Sequence, residues 1–181
     1  TYAFEYDALK RQSSRYNEYY KSSYSYAAGK NSGETTTQVS GIDYTARPGG
    51  TSFSAFGVDY TYDALGNITS ITSTEWPDLN ATYKYDAQGQ LIEETNRNNT
   101  FYYTYDTYGN IVQVSGGASH TYTYGDEEWR DLLTAYDGYT IEYDNIGNPT
   151  SYYNGTRWTM NWQEGRRLAS ATNGTTSVAY T

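Results

Sequence analysis

Aromatic and polar positions alternate along most of this chain. Pairs such as Phe4/Tyr6, Tyr24/Tyr26, Tyr60/Tyr62, Tyr83/Tyr85, Tyr103/Tyr105 and Tyr122/Tyr124 are spaced by two. That spacing puts both rings on one face of a strand and turns the intervening residue to the other. Four of the alternating stretches run into Asp-x-x-Gly: Asp63 to Gly66, Asp86 to Gly89, Asp106 to Gly109 and Asp144 to Gly147. Asp at the head of a type I turn accepts backbone N–H bonds, and Gly three places on takes the left-handed conformation that closes a bulged hairpin. An apolar-containing run follows: Ile68-Thr-Ser-Ile71, Leu91-Ile-Glu-Glu94, Ile111-Val-Gln-Val114. Each unit therefore predicts strand, tight turn, strand.

Helical periodicity is weak. Residues 11–21 are polar and accommodate helix, but Tyr16, Tyr19 and Tyr20 fit strand edges equally well, and 127–133 predict a turn or a single helical turn. The Gly/Ser/Thr-rich stretches 29–41 and 46–55 predict long hairpin loops. Pro149 stands where other copies have Ile or Leu; it can only start a strand or lie at an edge, which weakens that hairpin.

The same ten residues recur. YTYDALGNIT at 60–69 returns as YKYDAQGQLI at 83–92, YTYDTYGNIV at 103–112 and IEYDNIGNPT at 141–150. The motif tyrosines fall at 62, 85, 105 and 143, so the gaps are 23, 20 and 38, the last being twice 19. Degenerate copies fill the intervals at Tyr122–Asp126 and Met160–Leu168, and eroded ones lie upstream at Phe4–Asp7, Tyr24–Tyr26 and Ile42–Tyr44. The whole of 1–181 thus reads as one segment of about nine units of roughly 20 residues, degenerate over 1–55 and clearer over 56–181. The fold class expected is all-β, with tandem antiparallel hairpins joined in a curved continuous sheet. Repetition supplies what one hairpin lacks: two strands are marginal in water, whereas neighbouring copies pair and add cross-strand contacts of about 0.2–1 kcal/mol each. Val178-Ala-Tyr-Thr181 echoes Val58-Asp-Tyr-Thr61, which leads into Tyr62-Asp63, so an internal piece of a longer protein is expected.

The signature Tyr-Asp-x-x-Gly followed by an apolar residue, at 62–68, 85–91, 105–111 and 143–147, resembles the YD-repeat or Rhs-repeat family. The block from Tyr124 through Trp129 to Thr134, and Trp162 to Leu168, resemble variant units. The resemblance implies a segment of a large β-sheet spiralling into a hollow shell, as in bacterial Rhs and wall-associated toxins, the shell components of insecticidal toxin complexes, and teneurins. It implies the rest of the parent shell as a partner, an encapsulated C-terminal toxin or other polypeptide as cargo, and a secreted or bacterial cell-surface location. The residues it singles out are structural: Tyr62, Asp63 and Gly66; Tyr85, Asp86 and Gly89; Tyr105, Asp106 and Gly109; Tyr143, Asp144 and Gly147. The self-cleaving, Asp-Pro-rich segment of many members has no counterpart here, so self-cleavage is not assigned.

Composition sharpens this picture. Only 36% of residues are hydrophobic, and 24 of the 181 are tyrosine, so phenol rings must do much of the packing while their hydroxyls find partners. The net charge of −9 leaves no basic stripe for nucleic acid, and much of the acidity is turn aspartate: Asp7, Asp63, Asp86, Asp106, Asp144. No apolar run approaches a membrane span, and no cysteine is present. Neither a catalytic residue, a cofactor site nor a metal site is expected. His120 is the single histidine and stands in no nucleophile-elbow context. The cluster Asp126, Glu127, Glu128 and Asp131 lacks calcium-loop spacing and reads as a solvated turn whose Trp129, Leu132 and Leu133 plug the sheet. Trp76 and Trp129 are the candidates for stacking on sugar, the mark of the competing reading: a carbohydrate-binding or adhesion module. The Asn-x-Thr sequons at Asn67, Asn80, Asn98, Asn154 and Asn173 read as turn chemistry. Raw sheet edges on an isolated segment favour edge-to-edge self-association.

Overall fold

In the computed structural model, residues 1–50 and 53–180 are described. Thr51 and Ser52, in the loop expected at 46–55, and Thr181, the end of the C-terminal echo, lie outside the described residues. The described chain is all-β apart from a 3-10 turn at Pro77–Leu79. It divides into two compact units, Thr1–Thr100 and Phe101–Thr181.

The first unit contains β1 (Ala3–Tyr6), β2 (Gln12–Tyr16), β3 (Tyr20–Ala28), β4 (Thr35–Ala46), β5 (Phe56–Tyr62), β6 (Ile68–Thr72), β7 (Ala81–Tyr85) and β8 (Leu91–Asn96). Each pairs antiparallel with the next in sequence order. One expectation is corrected here. Residues 35–41 are strand, not loop, and the connection shrinks to 29–34. The Thr-rich run is β-branched, and Arg11 binds it from the side, donating to Thr35 Oγ1 at 2.8 Å and to the Thr36 carbonyl.

The second unit holds two ladders. One runs through β9 (Thr100–Tyr105), β10 (Ile111–Ser115), β11 (His120–Thr123), β12 (Ala135–Tyr136) and β13 (Tyr139–Thr140). The other runs through β14 (Glu142–Tyr143), β15 (Pro149–Tyr153), β16 (Arg157–Gln163), β17 (Arg167–Thr172) and β18 (Ser177–Ala179). The chain crosses from one to the other at Ile141, whose N–H donates to Thr134 O at 2.9 Å.

There is no thick apolar core. Among the described residues the buried apolar side chains are Ala81 and Met160, while Ser14, Ser22, Ser73, Asn148 and Ser151 are buried polar ones. Cohesion is therefore spread over half-covered rings and polar cross-strand pairs. On the face opposite the motif aromatic, in six of the copies the residue before it meets the residue eight places after it. The pairs are Glu5–Ser14 (2.5 Å), Thr61–Ser70 (2.6 Å), Lys84–Glu93 (2.8 Å), Glu142–Ser151 (2.9 Å) and Asn161–Ser170 (3.0 Å), with Thr104 opposite Gln113 in the same register.

Candidate functional site

The repeated turn is the structure's most regular feature. In six copies the motif aromatic pairs with the residue six places on, and the ladder slips there by one residue: Tyr6 with Gln12, Tyr62 with Ile68, Tyr85 with Leu91, Tyr105 with Ile111, Tyr143 with Pro149, Trp162 with Leu168. This is the bulge that a left-handed residue creates. Gly66, Gly89, Gly109 and Gly147 have φ of 92°, 80°, 87° and 81°. The preceding aspartate organises the loop. Asp63 Oδ1 accepts from the N–H groups of Leu65 and Asn67, both at 2.9 Å, while Asn67 Nδ2 donates to Oδ2 at 2.9 Å. Asp106 with Asn110 and Asp144 with Asn148 repeat the clamp, and Asp86 keeps its two backbone bonds from Gln88 and Gln90.

These bonds stabilise the charged carboxylate. Asp63 is held below the ordinary aspartate range chiefly by the Asn67 side chain, and Asp144 chiefly by the Asn148 backbone N–H. At Asp106 desolvation opposes ionisation, but the Asn110 side-chain and backbone bonds outweigh it. The eroded first turn compensates differently. Lys10 takes the glycine's place at φ 65°, and Arg11 clamps Asp7 with Nε at 2.7 Å while its guanidinium lies 4.0 Å from the Tyr26 ring centroid.

A second regularity joins one unit to the one before. Tyr26 OH donates to Gln12 O at 2.8 Å, Tyr85 OH to Ile68 O at 2.8 Å, and Trp162 Nε1 to Pro149 O at 2.7 Å. In all three the donor is the motif aromatic of one unit, and the acceptor is the first residue of the returning strand in the preceding unit. Tyr62 and Tyr143 donate likewise, to Val39 O and Leu133 O, both at 2.6 Å. Desolvation pushes the Tyr85 and Tyr143 hydroxyls above the usual phenol range.

At the other end of the strands, the residue eleven places after the motif aromatic builds a second turn. Asn17, Asn96 and Asn173 each accept two backbone N–H bonds through Oδ1. Sequence reading missed this series. Its signal is the constant offset of eleven from Tyr6, Tyr85 and Trp162, blurred by Ser73 and Gly116 at the same offset in other copies.

The remaining candidates lie apart. Trp76 is 52% exposed, with one face stacked on Phe56 at 4.3 Å, and Phe56 stacks in turn on Tyr44 at 4.7 Å. Trp129 presses its six-membered ring on Gly147, the turn glycine of the fourth clear copy. It is positioned by Asp126, whose Oδ1 accepts from the N–H groups of Glu128 and Trp129 at 2.9 and 2.8 Å. His120 Nδ1 lies 2.8 Å from Asp137 Oδ2 and 2.7 Å from Tyr136 OH, and Asp137 is held low mainly by that histidine. These groups, with Tyr139, Tyr153 and Asn154, line a cleft of about 330 Å³. Among the described residues no three His, Cys, Asp or Glu side chains converge as metal ligands.

Repeated Tyr-Asp turns carrying one hairpin after another define a YD-shell protein. A teneurin YD-shell family profile matches residues 51–148, more than half of the sequence, and the chain belongs to that family. It is 37% identical over 73 residues to the tRNA3(Ser)-specific nuclease WapA of Bacillus spizizenii; the match takes in 37% of this chain and 3% of that protein. Among solved structures it resembles the Photorhabdus luminescens Tc holotoxin pore (TM-score 0.56, 18% identity, 94% of this chain and 11% of that one). It also resembles a TcdB2–TccC3 complex (TM-score 0.56, 17% identity, 97% of this chain and 13% of that one). At such identities the likeness is one of fold. The chain spans only a small part of each of these proteins.

Proposed function

We propose that this chain is a length of wall: a non-enzymatic structural segment of a secreted or bacterial cell-surface YD-repeat protein. Its hydrogen-bonded sheet contributes to a hollow shell that keeps a polypeptide cargo, such as a C-terminal toxin domain, from contact with its surroundings. The observation that carries this reading is the stitch from hairpin to hairpin by Tyr26, Tyr85 and Trp162. A binding module needs one convergent pocket; here the same kind of side-chain tie recurs at Tyr26, Tyr62, Tyr85, Tyr143 and Trp162, as a barrier requires. The Asp-clamped turns, at Asp63, Asp106 and Asp144 among others, hold each hairpin's rim rigid.

Protease protection of the full-length parent protein tests the proposal. A segment following the repeats should resist digestion in the intact protein and be cut once the wall is loosened by Gly89→Val with Gly109→Val. Cleavage of that segment at the same rate in the intact protein and as a free domain would refute containment. The isolated segment should also self-associate, because the residues of β1 and β18 are exposed strand edges. Light scattering showing a monomer at high concentration would refute that part.

A further inference from the structure

The two ladders of the second unit meet without a hydrogen-bonded strand pair: β13 pairs with β12, and β14 with β15. Besides the bonds from Ile141 N–H and Tyr143 OH and the packing of Trp129 on Gly147, a ring contact spans this seam. Tyr139 of β13 and Tyr153, the last residue of β15, stack with centroids 3.9 Å apart and planes inclined by 25°. Tyr139 is 45% exposed, so an oxidant in solution reaches it, and the cleft beside the pair opens to solvent along His120, Asp137 and Asn154. Two other tyrosine pairs meet edge-on: Tyr2–Tyr20 at 6.2 Å and 68°, and Tyr122–Tyr136 at 5.2 Å and 61°. Of these three pairs only the Tyr139–Tyr153 stack lays one ring face over the other.

We propose that Tyr139 and Tyr153 are an oxidative modification site, coupled to dityrosine by hydrogen peroxide acting through a haem peroxidase. Each phenol loses one electron to the oxidised haem and one proton to water. The two phenoxyl radicals join through their ortho carbons, and the hydrogen on each of those carbons then moves, as a proton, to its own oxygen. Two phenols and one peroxide yield one biphenol and two waters. The new carbon–carbon bond is a covalent bolt across the one junction in this unit that strand pairing leaves open.

The test uses the 181-residue chain at low micromolar concentration, to suppress intermolecular coupling, with a haem peroxidase and limiting peroxide. Digestion and mass spectrometry should recover a linked peptide joining Tyr139 to Tyr153, lighter than its two parts by two hydrogens, with dityrosine fluorescence. It should be the most abundant linked peptide and should vanish when the reaction is run in urea. Tyr153→Phe keeps the ring and removes the phenol, so the peptide should be lost with circular dichroism unchanged; Tyr139→Phe is the second variant should that one fail to fold. Links scattered over exposed residues such as Tyr6 and Tyr108 with none between 139 and 153 would overturn the proposal. So would equal yield of the 139–153 peptide from folded and urea-unfolded chains.

Discussion

Gly89 and Gly147 occupy the same turn position at nearly the same φ, 80° and 81°, but differ in what surrounds them. A Cβ at Gly89 meets nothing within 4 Å, whereas one at Gly147 would fall 2.6 Å from Trp129 Cζ3 and closer still to Cη2. Gly89→Ala therefore measures backbone strain alone, about 1–2 kcal/mol for an L-residue in the left-handed region. Gly147→Ala adds the displacement of Trp129. That indole is 43% exposed, so a little over half its surface is covered. On a side chain that buries about 150–250 Å² when fully covered, this amounts to roughly 85–140 Å². At about 25 cal/mol per Å², the ceiling is about 2–3.5 kcal/mol, reduced because the unfolded chain already covers part of the ring. Gly147→Ala should thus cost about 1–2 kcal/mol more than Gly89→Ala. Repeat arrays need not unfold in one step. The assay is therefore hydrogen exchange at residues 144–148 together with tryptophan fluorescence during urea unfolding. The decisive comparison is a double-mutant cycle. In a Trp129→Ala background, Gly147→Ala should fall to the cost of Gly89→Ala. If its cost is unchanged in that background, Trp129 does not pack on the turn and the reasoning fails.

Three further outcomes follow from the same geometry. Asp63, Asp106 and Asp144 have folded pKa values below the unfolded value of about 3.9, so their stabilisation is complete above that value and is lost as the pH falls through the folded ones. The raised Tyr85 and Tyr143 hydroxyls act in the opposite sense, their stabilisation being present below about pH 10 and lost as the pH rises through the folded values. Thermal melts across the pH range should show a broad plateau with both flanks, and a midpoint that began falling well above pH 5 would contradict the acid assignment. Lys10→Gly should stabilise the first turn by a few tenths to about 1 kcal/mol, since relief of positive-φ strain exceeds the extra chain entropy of glycine; urea melts showing a loss would place the strain elsewhere. Tyr85→Phe removes the bond to Ile68 O and should cost about 1 kcal/mol with the fold intact, whereas an unchanged midpoint would mean the hydroxyl is as well satisfied by water.

Much of this architecture is legible in the sequence because hairpin chemistry is local. Period-two aromatics fix which way rings point, and Asp-x-x-Gly confines the aspartate clamp of the turn to five consecutive residues. What escapes reading is non-local or lacks side-chain identity. The acceptors of the tyrosine bonds at Gln12, Ile68 and Pro149 are backbone carbonyls, which any residue supplies. Trp129 finds Gly147 across 18 residues with no shared periodicity. Residues 35–41 carry loop-like Gly, Ser and Thr, yet pairing with β3, joined by β5 from Gly41 onward, overrides composition. The seam between ladders at Ile141 has no sequence mark, for the copies on either side of it look alike.

Tandem copies this similar invite strands to choose the wrong partner, since every hairpin's aromatic face would accept its neighbour's. The polar pairs on the opposite face work against that confusion. One hairpin closes with a carboxylate on a hydroxyl, the next with two hydroxyls, the next with an ammonium on a carboxylate, another with an amide on a serine. Exchanging the returning strands of the first and third would set Glu5 against Glu93 and leave Lys84 facing Ser14. Neighbouring hairpins in this series thus carry different addresses, the carboxylate on a hydroxyl returning only at Glu142 and Ser151, written in side chains that add little stability but make a mis-threaded array distinguishable from a correctly wound one.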